Sequence, residues 1–148
     1  YGPGFSADED VIRAVGEPML GMFNTSQWAH DLDNAANKRF VADFQKEYGR
    51  LPTLYASQGY DAARLIDAAV RDVKGNLADK EAVRRALKAA RFDSVRGPFK
   101  FGPNQFPIQD YYLRVITKDS QGRITNRTVA PVFKNHGDAY AAQCKMPA

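Results

Sequence analysis

Cysteine is nearly absent from this sequence: Cys144 is the only one in 148 residues. The chain therefore forms no internal disulfide and offers no thiolate cluster of the kind that holds zinc or an iron–sulfur centre. An odd cysteine in an exported protein usually finds a partner, so Cys144 is expected as a free thiol or bonded to a cysteine outside these residues. Histidine is scarce too. His30 and His136 are the only two; neither is spaced for joint metal ligation, and both are expected at the surface. No apolar run approaches the roughly 18 residues that cross a bilayer. The opening Tyr1-Gly2-Pro3-Gly4 lacks a secretory pattern and reads as loop, so a strand and any export signal are expected ahead of it. Charge of one sign is not concentrated: 21 Lys and Arg are interleaved with 17 Asp and Glu for a net charge of +4. The densest basic run, Lys80 to Arg91, reads as one exposed helix face. Without a basic stripe or an aromatic–basic module, no nucleic-acid partner is expected. Internal repeats and low-complexity segments are absent as well.

Apolar residues make up 44% of the chain and charged residues 26%, the balance of one folded domain. Ser6-Ala7-Asp8-Glu9 reads as a capping box opening a helix through Val11, Ile12 and Val15, which Gly16 and Pro18 end. Met19 to Thr25 reads as a buried strand, and Ser26 to Asp33 as a polar crossover loop holding the one tryptophan, Trp28. Three core helices follow. The first runs from about Asn34 to Tyr48, with Phe40, Val41, Phe44 and Tyr48 on one face. The second covers about Leu54 to Lys74 and turns Leu65, Ile66, Ala69, Val70 and Val73 inward. The third starts at the N-cap Asp79 and buries Val83, Ala86, Leu87 and Ala90. After Phe92 the period changes. Gly97 to Asn104 reads as two short extended pieces and a turn, and Tyr111–Thr117 and Ile124–Phe133 form a hairpin around Asp119-Ser120-Gln121-Gly122. Pro131 marks the second hairpin strand as an edge.

The catalytic motifs are missing. There is no G-x-S-x-G, P-loop, C-x-x-C or dinucleotide fingerprint, and no nucleophile with an adjacent base, so no enzyme activity and no cofactor are expected. Asp8, Glu9 and Asp10 sit in a helix's first turn, where the dipole favours negative charge. The one segment with binding character is Gly2-Pro3-Gly4-Phe5-Ser6, a glycine loop delivering a helix N-terminus that favours an anion or polar acceptor.

Taken in order, Gly2-Pro3 before a helix, Leu20-Gly21-Met22, Phe40-Val41 to Tyr48-Gly49, Tyr55-Ala56 with Gly59-Tyr60-Asp61-Ala62-Ala63, Val95 to Phe101, and Tyr111 to Val115 resemble one family. It is the branched-chain amino-acid binding proteins, type I periplasmic solute-binding proteins of ABC importers. The resemblance implies an α/β fold of two lobes joined by three crossovers, roughly twice this length, of which these residues would form the C-terminal portion: three main helices plus a C-terminal β-hairpin. Residues 1–28 and 112–148 would belong to the C-terminal lobe and 29–111 to the N-terminal lobe. A piece so divided exposes apolar faces and is expected to repack or self-associate.

In that fold, loops at the carboxyl ends of strands face the cleft, which makes Gly4, Phe5 and Ser6 candidate ligand contacts. Trp28 is either an aromatic cleft wall or a hinge-packing residue, and Tyr60 is expected in the core. The implied function is capture of a small solute in the periplasm and its delivery to a membrane permease; a ligand-sensing regulatory domain of the same fold is the alternative. Amino-acid-binding members carry an acid directly after the Gly-Pro of this loop, to pair with the ligand's α-ammonium. Here that position is Gly4, so the expected ligand is a small carboxylate, aromatic ones included, rather than an ordinary amino acid. Asp8 and Asp10, the acids that could stand in for it, are expected in the exposed first turn.

Overall fold

Strand β4 (Pro107–Lys118) organises the sheet. The computed structural model describes residues 1–145, and within them the remaining strands gather around β4. On one side β4 pairs antiparallel with β2 (Phe23–Ser26) and β3 (Phe99–Phe101). On the other it pairs with β5 (Ile124–His136). The short β1 (Gly2–Pro3) runs parallel to β2 and starts the order β1-β2-β4-β3. Among the described residues β5 pairs only with β4, the edge position that Pro131 implied. The β4–β5 turn closes as the sequence indicates. Gly122 adopts φ +76, the left-handed conformation glycine tolerates, and the Asp119 carboxylate accepts the N–H groups of Gln121 and Arg123.

The three long helices α2 (Ala35–Tyr48), α3 (Leu54–Asp72) and α4 (Lys80–Ala89) begin where the sequence places their caps. Asn34, Thr53 and Asp79 each accept an N–H of the first turn from Asn37, Ala56 and Ala82, removing orphan donors there. Gly49 ends α2 in the left-handed conformation. Ala86 and Ala90 are buried as expected, whereas Ile66 of α3 is 56% exposed.

Two apolar clusters result, with no residue in common. The helical cluster holds Trp28, Ala29, Leu32, Phe40, Leu54 and Val95, with the Tyr60 ring 4.7 Å from that of Phe40. The sheet cluster holds Ala7, Ile12, Met19 and Ile116.

Three local expectations are corrected. The capping box does not form. Residues Gly4–Ala7 tighten into a single 3₁₀ turn, the chain leaves it extended at Asp8, and α1 (Glu9–Val15) starts only there, with no side-chain cap. Ser6 is exposed, and Glu9 turns away to β5. The predicted strand Met19–Thr25 shortens to Phe23–Ser26, because Glu17–Met19 form a 3₁₀ turn and Gly21 turns at φ +81. The 26–33 loop is not a solvated crossover: Trp28, Ala29 and Leu32 are buried. Asn37 of α2 organises it, donating to the carbonyls of Ala29, His30 and Leu32 while accepting the Trp28 indole N–H at 2.7 Å.

Candidate functional site

The Gly2–Ser6 loop lies at the end of β1 and is pinned from below. Gly4 is buried. A Cβ built on it would lie 2.8 Å from both the Ser26 Cβ and the Thr25 carbonyl oxygen of β2, so the close approach of loop and strand requires glycine. Its own carbonyl accepts from Nη2 of Arg114 at 3.3 Å. Phe5 and Ser6 point outward, Phe5 at 60% exposure. Of the four expected site residues, the structure thus leaves two at the surface of the loop and two inside. Trp28 is 1% exposed, its indole N–H is satisfied by Asn37, and its ring meets Phe40 edge-on at 6.2 Å. Trp28 is thus a packed interior side chain.

Arg114 was not anticipated. It projects from β4 into the junction of loop, β2 and crossover and is 2% exposed. Its Nε donates to Asn24 Oδ1 at 2.8 Å and its Nη1 to the Trp28 carbonyl at 3.0 Å. Among the described residues no carboxylate forms an ion pair with it. Burial lowers its pKa to about 10, against the opposing pull of Glu9, Asp8 and Asp31 nearby. Asn24 in turn donates to Asn126 of β5, and Asn126 donates to the Ala7 carbonyl and to Glu9 Oε1. Glu9 also accepts the Thr125 hydroxyl at 2.8 Å. The expected surface position of His30 is corrected: its Nε2 lies 2.8 Å from the Asn126 carbonyl and 2.9 Å from Thr125 Oγ1. Buried polar groups require partners, and here they bind one another across 86 to 119 residues of sequence. His136 is exposed and stacks on Phe133.

The acids of this segment are all committed. Asp8 is not in an exposed turn: it is 4% exposed and its Oδ1 accepts the Leu54 N–H at the start of α3 at 2.7 Å. Burial raises its pKa, against the lowering effect of that N–H. Glu9 is held by β5, and Asp10 pairs with Arg13 and Arg50, each at 2.8 Å. Among the described residues no cluster of three or more His, Cys, Asp or Glu is arranged to hold a metal ion. No described helix is long and apolar enough to cross a membrane.

Comparison with known proteins places this geometry. The periplasmic binding protein family model matches residues 1–122. The Leu/Ile/Val-binding protein homolog 6 of Brucella abortus (strain 2308) is 30% identical over 141 residues, covering 93% of this chain and 36% of the relative. Among solved structures, the solute-binding protein of an ABC transporter from R. palustris in complex with benzoate superposes at a TM-score of 0.86 with 36% identity. That match covers 98% of this chain and 38% of that one. The solute-binding protein from Rhodopseudomonas palustris BisB5 in complex with 3,4-dihydroxy benzoic acid gives 0.83 and 31%, over 93% of this chain and 38% of that one. The chain thus spans little more than a third of the length of the relatives it matches. Its helices and sheet are a portion of the two-lobe type I fold, and the chain belongs to the periplasmic binding protein family.

Proposed function

We propose that these residues form part of the extracytoplasmic solute-binding component of an ABC importer, which closes two lobes around a small carboxylate, aromatic acids included, and presents it to a membrane permease. Residues 1–28 and 112–148 are assigned to one lobe and 29–111 to the other. The two separate apolar clusters support that division, except at its boundaries, where Trp28 and Tyr112 pack with the helical cluster. The periplasm is the compartment the family implies.

One observation carries the ligand class: the loop has no acid free to meet an α-ammonium. Gly4 has no room for a side chain, Asp8 is taken up by α3, Glu9 by β5 and Asp10 by two arginines. A buried ammonium without a partner costs several kcal/mol. A carboxylate attached to an apolar ring has no such group, and the exposed Phe5 ring and Ser6 hydroxyl are assigned to it as contacts. The relatives solved with benzoate and 3,4-dihydroxy benzoic acid, at 36% and 31% identity, point the same way.

Calorimetric titration of the full-length protein with leucine, valine, benzoate and 4-hydroxycinnamate tests the reading. Micromolar binding of an aromatic acid with no response to leucine is expected. Micromolar leucine binding with no aromatic acid bound would overturn it.

A further inference from the structure

The helical and sheet clusters are joined mainly along the connecting segments themselves. Arg114 reaches the Trp28 carbonyl, His30 reaches Thr125 and Asn126, and Asp31 accepts from Thr128. At the second connection Arg96 reaches Gln109, and Asp110 and Asp138 bond Asn135 and Asn104. Among the described side-chain contacts, two ties bypass these segments: Asp8 to the Leu54 N–H, and Asp10 to Arg50. Both join the segment following the Gly4–Ser6 loop to the start of α3. The Asp10 pair is about half exposed on each side and so contributes little. The Asp8 contact is different in kind. Asp8 and Leu54 are 4% and 5% exposed, and the carboxylate has no basic side chain paired to it among the described salt bridges.

A buried, unpaired carboxylate is costly, and a helix's free N-terminal amides offset that cost. Thr53 already satisfies Ala56, leaving the Leu54 N–H without a local acceptor. The arrangement therefore holds only while loop and helix are pressed together. Once they separate, both groups return to water and neither stabilises the protein.

We propose that Asp8 is the positioning residue of the closed cleft: its carboxylate docks the first turn of α3 against the Gly4–Ser6 loop on closure and releases it on opening. This rests on the two-lobe reading above, and it adds which residue sets the closed geometry.

The test uses the full-length protein with benzoate as probe and leucine as second probe, comparing wild type, Asp8→Asn and Asp8→Ala. Asparagine keeps an oxygen acceptor for the Leu54 N–H; alanine removes it. Fluorophores at positions 46 and 120, in a Cys144→Ser background, report lobe separation. For Asp8→Ala we expect a ligand-free melting temperature close to wild type, affinity reduced about tenfold, and a mean label separation shifted towards open. Asp8→Asn is expected to keep affinity within about twofold. Wild-type affinity and separation in Asp8→Ala would overturn the proposal, as would a lowered ligand-free melting temperature with unchanged separation, the mark of a contact present in both states. If wild-type protein binds leucine and not benzoate, the carboxylate reading fails while leucine reads the Asp8 effect. If it binds neither, the carboxylate reading fails, and the ligand-free melting temperature of Asp8→Ala reads the proposal: unchanged is the result expected, and a lowered value, the mark of a contact present in the open state, overturns it.

Discussion

Asp8, Glu9 and Ser6 occupy one tetrapeptide and meet three different fates, which separates local from long-range chemistry. Ser6 and Glu9 have the spacing of a capping box, yet the box stays open because Glu9 makes better bonds elsewhere. Its two oxygens accept from Thr125 and Asn126 on β5, and bonds to buried donors outweigh a bond at an exposed cap. Ser6 then has no structural duty. We expect Ser6→Ala to leave the unfolding midpoint of the full-length protein within about 0.5 kcal/mol of wild type, the range of ordinary surface substitutions. A loss near the 1 kcal/mol of a working N-cap, read from a two-state denaturant melt, would show that the box forms. If Ser6 contacts the ligand, its substitution appears in titration instead.

Elements were legible where their signals were local. The helices α2, α3 and α4 announce themselves through apolar residues at helical spacing and, for α4, through the cap Asp79, and the hairpin through Asp119 to Gly122. What stayed hidden was the way elements are tied to each other. Nothing in the pattern of β4 says that Arg114 points inward, since an arginine in an alternating strand reads as its solvent face. Nor does helix periodicity reveal that Asn37 gathers a loop beneath α2. Misplaced boundaries share a cause: Leu20 and Met22 look like strand, but Gly21 turns the chain between them. The same tie makes Asn37 sensitive. Asn37→Ala leaves the Trp28 N–H and three loop carbonyls short of a partner, and each buried orphan costs about 1–3 kcal/mol. With partial relaxation we expect a loss of about 3 kcal/mol, measured by denaturant unfolding, and a red-shifted, more solvent-exposed Trp28 emission. Asn37→Asp should retain the indole bond and lose the carbonyl bonds, falling between the two.

At the scale of the whole molecule, the chain covers about 38% of the R. palustris solute-binding protein it resembles. A cleft between lobes buries most of a small ligand using both walls. On the proposed division, these residues hold only part of each wall. We therefore expect these 148 residues alone to bind the full-length protein's ligand weakly or not at all. Calorimetry on both forms decides, and fragment affinity within tenfold of the full-length value would place the whole site in these residues. Of the candidate site, the sequence marked the loop and the absence of an acid at Gly4, but not that every nearby carboxylate is occupied, because those partners, Arg13 aside, lie 40 to 117 residues away.

The close approach at Gly4 also limits how this protein can change its diet. Exchanging one ligand class for another in a binding pocket usually needs only a new side chain at the rim. At Gly4, the position proposed to face the ligand, the Ser26 Cβ and the Thr25 carbonyl each lie 2.8 Å from any added carbon. Trimming Ser26 to glycine relieves only the side-chain half of that obstruction. The carbonyl belongs to the backbone of β2, held in register by β1 and β4. Under the proposed binding mode, placing an acid at position 4 therefore requires a shifted strand rather than a single substitution.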